Sequence, residues 1–475
     1  MYIGGLDVGT SGCKISIYDE KGNFICKHYE EYDSVRGNDI QEIDANSLWE
    51  SVKNVISAAA AEVGKIAAIG VTTFGESFVM LDNEDNVLLP AMLYTDKRGN
   101  AECAQFDAKT VMNIGGAQPH GMYSIPKIMW IKENLPEVYA KAKRILLFED
   151  FIIYKLTGNA QIDYSLACRT MGFDVEKKCW SEEIFGKAGI DISLMSRPVC
   201  GGTSAGPSTL PCIQGTVIVN GCHDQVAAVI GAGALEENTA VDGTGTVECI
   251  TPVFKEVPKN EEFYNGKYAV VPHVLDGKYV CYAFSFTGGA ALKWFRDTFS
   301  PEADYKDLDV NVKQEPTGIL IMPHFAGAAT PYMDENSKAV FSGITLSTTK
   351  DDLYQAIMEG VVYEMQINME RLEAAGIRIE RLYATGGGAN SSAWLQMKAN
   401  MLGKEFVALD APEVGAVGTV MLAGLAVGAF ESLEEAAKVY VKKGKTYKPD
   451  PEKTALYRPY YEKYKLIYDS SLQWR

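Results

Sequence analysis

Apolar residues at the start of the chain fall into three short runs: YIGGLDVGT from Tyr2, CKISIYDE from Cys13 and NFICKHYE from Asn23. Glycine-bearing turns at 9–12 and 21–23 separate them, so the pattern predicts an antiparallel meander of three strands. Asp44 and Asn46 then offer caps for a helix over 47–64. Within it Leu48, Val52, Val55 and Ile56 recur at helical spacing. A fourth apolar strand, IAAIGVTTF, occupies 66–74. Strands alternating with helices indicate an α/β core. The opening pattern returns near mid-chain, where TAVDGTGTVECITPV surrounds Asp242 and again reads strand, Gly/Thr turn, strand. Later, RIERLYATGGGAN runs from strand into glycine turn once more. The simplest organisation is two related α/β halves, 1–240 and 241–475, each presenting a Gly/Thr hairpin to a shared central cleft. The Tyr-rich stretch 452–473 predicts an amphipathic helix used for packing.

Composition narrows the partners. The chain has 475 residues, 47% hydrophobic and 23% charged, as ordinary globular proteins do, and this length sustains sizeable cores. A net charge of −17 argues against nucleic acid as the main partner, because phosphate backbones require basic surface. It leaves room for a nucleotide at one local site. The start lacks a basic segment followed by an apolar core, and none of the 10 cysteines forms C-x-x-C. Together these predict a cytoplasmic protein with free thiols. Its 5 scattered histidines make a weak case for zinc. The uncharged, strongly apolar run 414–430 is short for a membrane span and dense in Gly and Ala. It reads as a buried helix packed closely against another element, and no membrane partner is expected.

Candidate chemistry lies at the turns. In LDVGTSGCK, residues 6–14, glycines let backbone N–H groups approach phosphate oxygens, Thr10 and Ser11 add hydroxyls, and Lys14 adds a positive charge. Asp7 can hold Mg²⁺ through water. A plain hairpin turn explains the same residues. The turn at Asp242, Gly243 and Thr244 repeats this chemistry. In TGGGAN, Gly387, Gly388, Ala389 and Asn390 precede a helix starting near Ser391, whose N-terminus favours anions. None of the three is a Walker loop. In VNGCHDQVAAVIGAG, Asp224 follows a strand and precedes a run of small apolar residues. It can cap a helix or serve as a general base.

Several ordered motifs resemble the FGGY carbohydrate kinase family along nearly the whole chain. They are D-x-G-T-x-x-x-K at Asp7–Lys14, MYSIPKIMWIKEN at Met122–Asn134, G-x-x-D-[QN]-x-x-A at Gly221–Ala228, TGGAALKWFRD at 287–297, AVFSGITLSTTKDDLYQAIME at 339–359 and T-G-G-G-A-x-S-x-x-W-x-Q-M at Thr385–Met397. The resemblance implies two ribonuclease-H-like domains of the actin and hexokinase type, ATP and Mg²⁺, and phosphoryl transfer to a hydroxyl of a small sugar or polyol. It assigns Asp224 as general base and places Gly288 on the nucleotide side. Family members are often homodimers.

The substrate stretch GVTTFGESFVMLD departs from each subgroup. Xylulose kinases carry Gln-Met-His where this chain has Phe74, Gly75 and Glu76, and glycerol kinases carry Gln-Arg-Glu. The acid is therefore kept and the arginine is not. YTDKRG matches the family's aromatic-x-D-x-R, which implies Asp96 for substrate hydroxyls and Arg98 for its orientation, with Gln225 beside the base. The usual G-T-S turn appears as Gly243-Thr244-Gly245, and the usual G-E-R-x-P as Gly327-Ala328-Ala329-Thr330-Pro331. The expected reaction is ATP-dependent phosphorylation of a ketose such as a pentulose, or of glycerol or another polyol. A non-enzymatic, actin-like nucleotide binder shares the turns but needs no polyol pocket.

Overall fold

The computed structural model describes residues 1–37, 40–410 and 413–474. The chain divides into two compact units. The first comprises 1–235, 269–279 and 413–441, and the second 236–268, 280–412 and 442–475.

The first unit is built on a six-stranded sheet. Its spatial order is Ser204–Pro207, Val217–His223, Ala68–Thr73, Tyr2–Val8, Gly12–Asp19, Phe24–Glu31. The last three form the predicted antiparallel meander, while Tyr2–Val8, Ala68–Thr73 and Val217–His223 run parallel. On one face lies the helix Ala45–Val63, which starts where Asp44 accepts a hydrogen bond from Asn46 N. It buries Leu48, Val52, Val55 and Ile56 in a core shared with Leu6, Val8, Ile15 and Ile17. Side chains alternate across a strand, so Gly5 faces the other way. A Cβ on Gly5 would lie 2.7 Å from the carbonyl of Ala416, in the helix Val414–Ala426. The uncharged run is thus a buried helix.

The second unit repeats the plan. Glu248–Phe254, Thr239–Thr244, Arg381–Thr385, Glu405–Leu409 and Lys443–Tyr447 are neighbours in that order. The first and last pairings are antiparallel and the central two parallel. This is the ribonuclease-H-like strand arrangement in both units. The repeat extends to register. Asp7 pairs with Thr72 one residue before Val8 meets Thr73, and Asp242 pairs with Ala384 one residue before Gly243 meets Thr385. The predicted Tyr-rich helix forms as Pro451–Tyr464 and buries Tyr457, Tyr461 and Tyr464. Tyr464 donates to Glu364 Oε2 (2.7 Å) on the long helix Lys350–Ala374.

Candidate active site

Asp224 stands where the strand Val217–His223 gives way to the helix Asp224–Gly231. The register with Ala68–Thr73 shifts between Asn220 and His223. Gly221 makes the shift possible, because a Cβ there would lie 2.2 Å from the Val71 carbonyl oxygen. The bend is pinned from below: His223 N donates to Ser165 Oγ (2.8 Å), and Ser165 Oγ donates to Asp163 Oδ1 (3.0 Å). It is also pinned from behind. Gly231 and Gly418 let the helices Asp224–Gly231 and Val414–Ala426 touch backbone to backbone, since a Cβ on Gly418 would meet the Ala227 oxygen at 2.0 Å. Small residues in the 414–430 run therefore hold the helix that presents Asp224.

Asp224 is the first residue of its helix. The preceding residue, His223, occupies the cap position, and its side chain does not cap the helix. The cap role considered for Asp224 is therefore not the one it takes. Its side chain remains 39% exposed. Its Oδ1 is sealed from solvent, accepts no hydrogen bond from the described residues, and lies 3.3 Å from His223 Nδ1. Burial pushes the carboxyl up to about 6, against the lowering effects of the Gln225 hydrogen bonds, Arg169 and Lys14. Burial and Arg169 push the His223 imidazole down to about 3, so that ring is neutral at physiological pH. A carboxyl poised just below neutrality, reachable and flanked by a neutral ring, can accept a proton from an alcohol.

The stretch after Ala68–Thr73 supports this acid. Glu76 adopts φ 67°, unusual for a residue other than glycine. Its backbone oxygen accepts from Ser124 Oγ (2.6 Å), and its Oε1 from Arg169 Nε (2.6 Å). Gly75 is required for this arrangement, because a Cβ would lie 2.6 Å from Arg169 Cγ. Arg169 is thus a site residue that sequence reading missed. It supplies a guanidinium beside Glu76 from 93 residues away, where the motif lacked its arginine. Phe74, expected to touch substrate, is instead a core residue. It is 6% exposed and packs on Phe148 with ring centroids 5.2 Å apart. Burying a ring there gains more than holding it in water.

Asp96 is a buried acceptor. Its Oδ1 accepts from Arg98 N and Nε, and its Oδ2 from Gln41 N and Arg98 Nη2, all within 2.7–3.0 Å. Those four bonds fill the carboxylate's acceptor directions, so a substrate hydroxyl has to displace one. Arg98 also donates to Glu42 Oε1 (2.6 Å) and lies over the Trp130 ring at 5.3 Å. Gln225 is half-buried beside Asp224.

At the first hairpin, Gly9 N donates to Gly12 O (2.9 Å), and Thr10 and Ser11 sit at the turn, Ser11 exposed. Lys14 Nζ lies 3.2 Å from Asp7 and 2.6 Å from Glu413. Its charge is therefore shared between two acids, one of which the sequence reading did not single out. Burial raises the Asp7 carboxyl; Lys14 opposes this, and the nearby Asp224 adds to it.

In the second unit the turn residues gather around a cavity of about 1100 Å³, lined by Gly245, Gly387, Gly388, Asn390, Trp294 and Tyr305 among others. Space stands open where a Cβ of Gly245 or Gly387 would be. Trp394, also at this cavity, carries a buried indole N–H with no partner among the described residues. Such a site suits a ligand with an aromatic face and several acceptors. Other expected contacts are spent within the protein. Gly288 N and Gly289 N donate to the Thr246 and Gly245 carbonyls, and Ala389 N to Gly386 O. The Thr244 hydroxyl accepts from Lys398 Nζ (2.7 Å). Lys398 also binds Asp242 (2.7 Å) and Glu248 (3.0 Å), all of them buried. The repeated acid thus differs between the units. Asp242 is neutralised by a lysine that no motif flagged, while Asp7 stays partly exposed near Asp224. Gly243 lies on the strand itself, next to these groups.

The strand arrangement in both units is that of the actin and hexokinase type. The chain belongs to the FGGY family of carbohydrate kinases: the family's N-terminal domain matches residues 2–231 and its C-terminal domain 241–427. It is 27% identical to a xylulose kinase of Lactococcus lactis over 99% of this chain and 97% of that one. It is 28% identical to a glycerol kinase of Desulforamulus reducens over 92% and 91% of the two chains. A solved xylulose kinase of Lactobacillus acidophilus superposes with a TM-score of 0.92 at 23% identity, covering 99% of this chain and 98% of that one. The protein is an ATP-dependent carbohydrate kinase. Among the described residues, no helix is long and apolar enough to cross a membrane.

Proposed function

We propose that this kinase phosphorylates a hydroxyl of a ketose of the pentulose class, with Asp224 as general base. The single observation that carries the reading is the half-open Asp224 carboxyl, raised to about 6 beside a neutral His223. In this reading the second unit's cavity holds ATP and the first unit holds the sugar. Asp224 takes the proton of the acceptor hydroxyl as its oxygen bonds to the γ-phosphorus, and ADP leaves with the electron pair of the broken P–O bond. His223, unable to carry a proton at neutral pH, does not compete as the acid or base. Arg169 keeps a positive charge near the reacting groups while Glu76 keeps it in place. The hairpin at Thr10 and Ser11 faces the transferring phosphoryl group. Asp7, an oxygen donor already destabilised by its acidic neighbour, fits a hydrated Mg²⁺, which supplies charge compensation for the phosphates when bound.

The pentulose assignment is supported by the xylulose kinases among the relatives, matched over nearly the whole chain. One observation favours a second reading. Arg169 beside Glu76 rebuilds in space the arginine–acid pair whose arginine is missing from the local motif, which suits glycerol or another short polyol. ADP release from ATP, measured over pentuloses, hexuloses, deoxyketoses and alditols, decides between them. A pentulose is expected to give the highest kcat/KM. A glycerol optimum would replace the pentulose assignment, and no stimulation by any member of the panel would overturn both.

A further inference from the structure

Among the described residues, Cys26, His28 and Glu62 are the one group of three potential metal ligands drawn together. One ligand atom from each lies within 4.8 Å of the others. The placement follows from two periodicities. Cys26 and His28 are two apart on the strand Phe24–Glu31, so they share a face. That strand is the edge of the first unit's sheet. Asn54, Ala58 and Glu62 are four apart on the helix Ala45–Val63, so they form one stripe. The stripe lies along the strand's face. Asn54 Nδ2 donates to Glu30 Oε1 (3.0 Å), and Glu62 Oε2 sits 2.9 Å from His28 Nε2. Ala58, between them, leaves room. Cys26 is 7% exposed, while His28 and Glu62 reach solvent with side chains 28% and 52% exposed, so an ion has a path in.

We propose that Cys26, His28 and Glu62 form a binding site for a divalent transition ion of the zinc class, with water as fourth ligand. The ligand chemistry selects the ion. A thiolate and an imidazole suit zinc or cobalt and not Mg²⁺, which prefers oxygen donors. On binding, the Cys26 thiol loses its proton to solvent as the sulfur–metal bond forms. Thiolate, carboxylate and neutral imidazole then balance the 2+ charge. Tetrahedral zinc places such donors about 3.3–3.6 Å apart, given bond lengths of about 2.0–2.3 Å. The trio therefore needs only side-chain rotation to close. The bound ion ties the sheet's edge strand to the last turn of the helix. The same strand's opposite face carries Lys27, paired with Glu413 (3.2 Å), so the ion sits apart from the catalytic groups.

The test is a Co²⁺ titration of the full-length protein in millimolar Mg²⁺, read by thiolate-to-cobalt charge-transfer absorption. One equivalent is expected to bind, to be displaced by Zn²⁺, and to lose its absorption in Cys26→Ser. His28→Gln and Glu62→Gln, both at solvent-reaching positions, are each expected to weaken binding at least about tenfold, the loss that even a partner outside the ligand set can cause. Sugar-stimulated ADP release unchanged in these variants confirms that they are folded. Absence of the band at equimolar Co²⁺, or a band that persists in Cys26→Ser, overturns the proposal. Should Cys26→Ser fail to fold, unweakened binding in both glutamine variants overturns it equally.

Discussion

Replacing Asp224 by asparagine is expected to lower kcat by about 10²–10⁴, the usual worth of a positioned general base, while ATP binding stays close to wild type. The two outcomes separate because the cavity proposed to hold ATP is built from residues 244–394 and includes no part of the 224 helix. The fold should tolerate the change. Folding raises the Asp224 carboxyl from 3.8 to about 6, which means the native state favours its protonated form. That contribution to stability is present at low pH and is lost as pH rises through about 4–6. At neutral pH the native state therefore holds an unfavourable charge, which asparagine removes. Unfolding midpoints should be unchanged or slightly higher. A variant with near-normal turnover would remove Asp224 from the reaction. A variant that lost both turnover and stability would make the residue structural.

The second large effect concerns stability. Lys398→Met is expected to destabilise the second unit by about 3–5 kcal/mol, the cost of leaving buried charge unpaired. Lys398 is 1% exposed and serves Asp242, Glu248 and the Thr244 hydroxyl together. Burial alone would lower its pKa, but the two acids outweigh this and raise it. Burial also drives Glu248 upward, an effect that Lys398 opposes. Without the lysine, two carboxyls face each other in a dry core. Adding Asp242→Asn and Glu248→Gln to Lys398→Met should restore much of the loss, because no uncompensated charge remains. Urea unfolding of the single and triple variants checks this. A single variant within about 0.5 kcal/mol of wild type, the range of ordinary surface changes, would show that the trio does not organise the core.

The legible parts of the molecule were those whose signal is local. The opening meander was readable because turn residues stand at 9–12 and 21–23 between apolar runs. The register match of Asp7 and Asp242 was foreshadowed by two similar strand–turn–strand segments. Asp224 could be singled out because a strand, an acid and a run of small residues follow each other directly. What escaped depends on contacts distant in sequence. Arg169 sits in SLACRT, which has no periodic or motif signal; only the crossing over Gly75 brings it to Glu76. Lys398 directly follows the glycine motif that ends at Met397, yet its role depends on two acids about 150 residues earlier. The family motif marked Asp96 and Arg98 for the substrate, but nothing local showed that Gln41 and Glu42 close over them. Phe74 misled because it stands within the substrate stretch, while packing against Phe148 draws it into the core.

The pH dependence of kcat/KM for the preferred sugar, measured for wild type and for Asp224→Asn, tests the central claim most directly. Asp224 must be ionised to accept a proton. The wild-type rate should therefore rise with pH along a single acid limb with an apparent pKa near 6 and then level off. His223, held near 3, adds no limb in that range. In Asp224→Asn the residual rate should show no such limb. An identical limb near 6 in both proteins would contradict the account, because the titrating base would then be some other group.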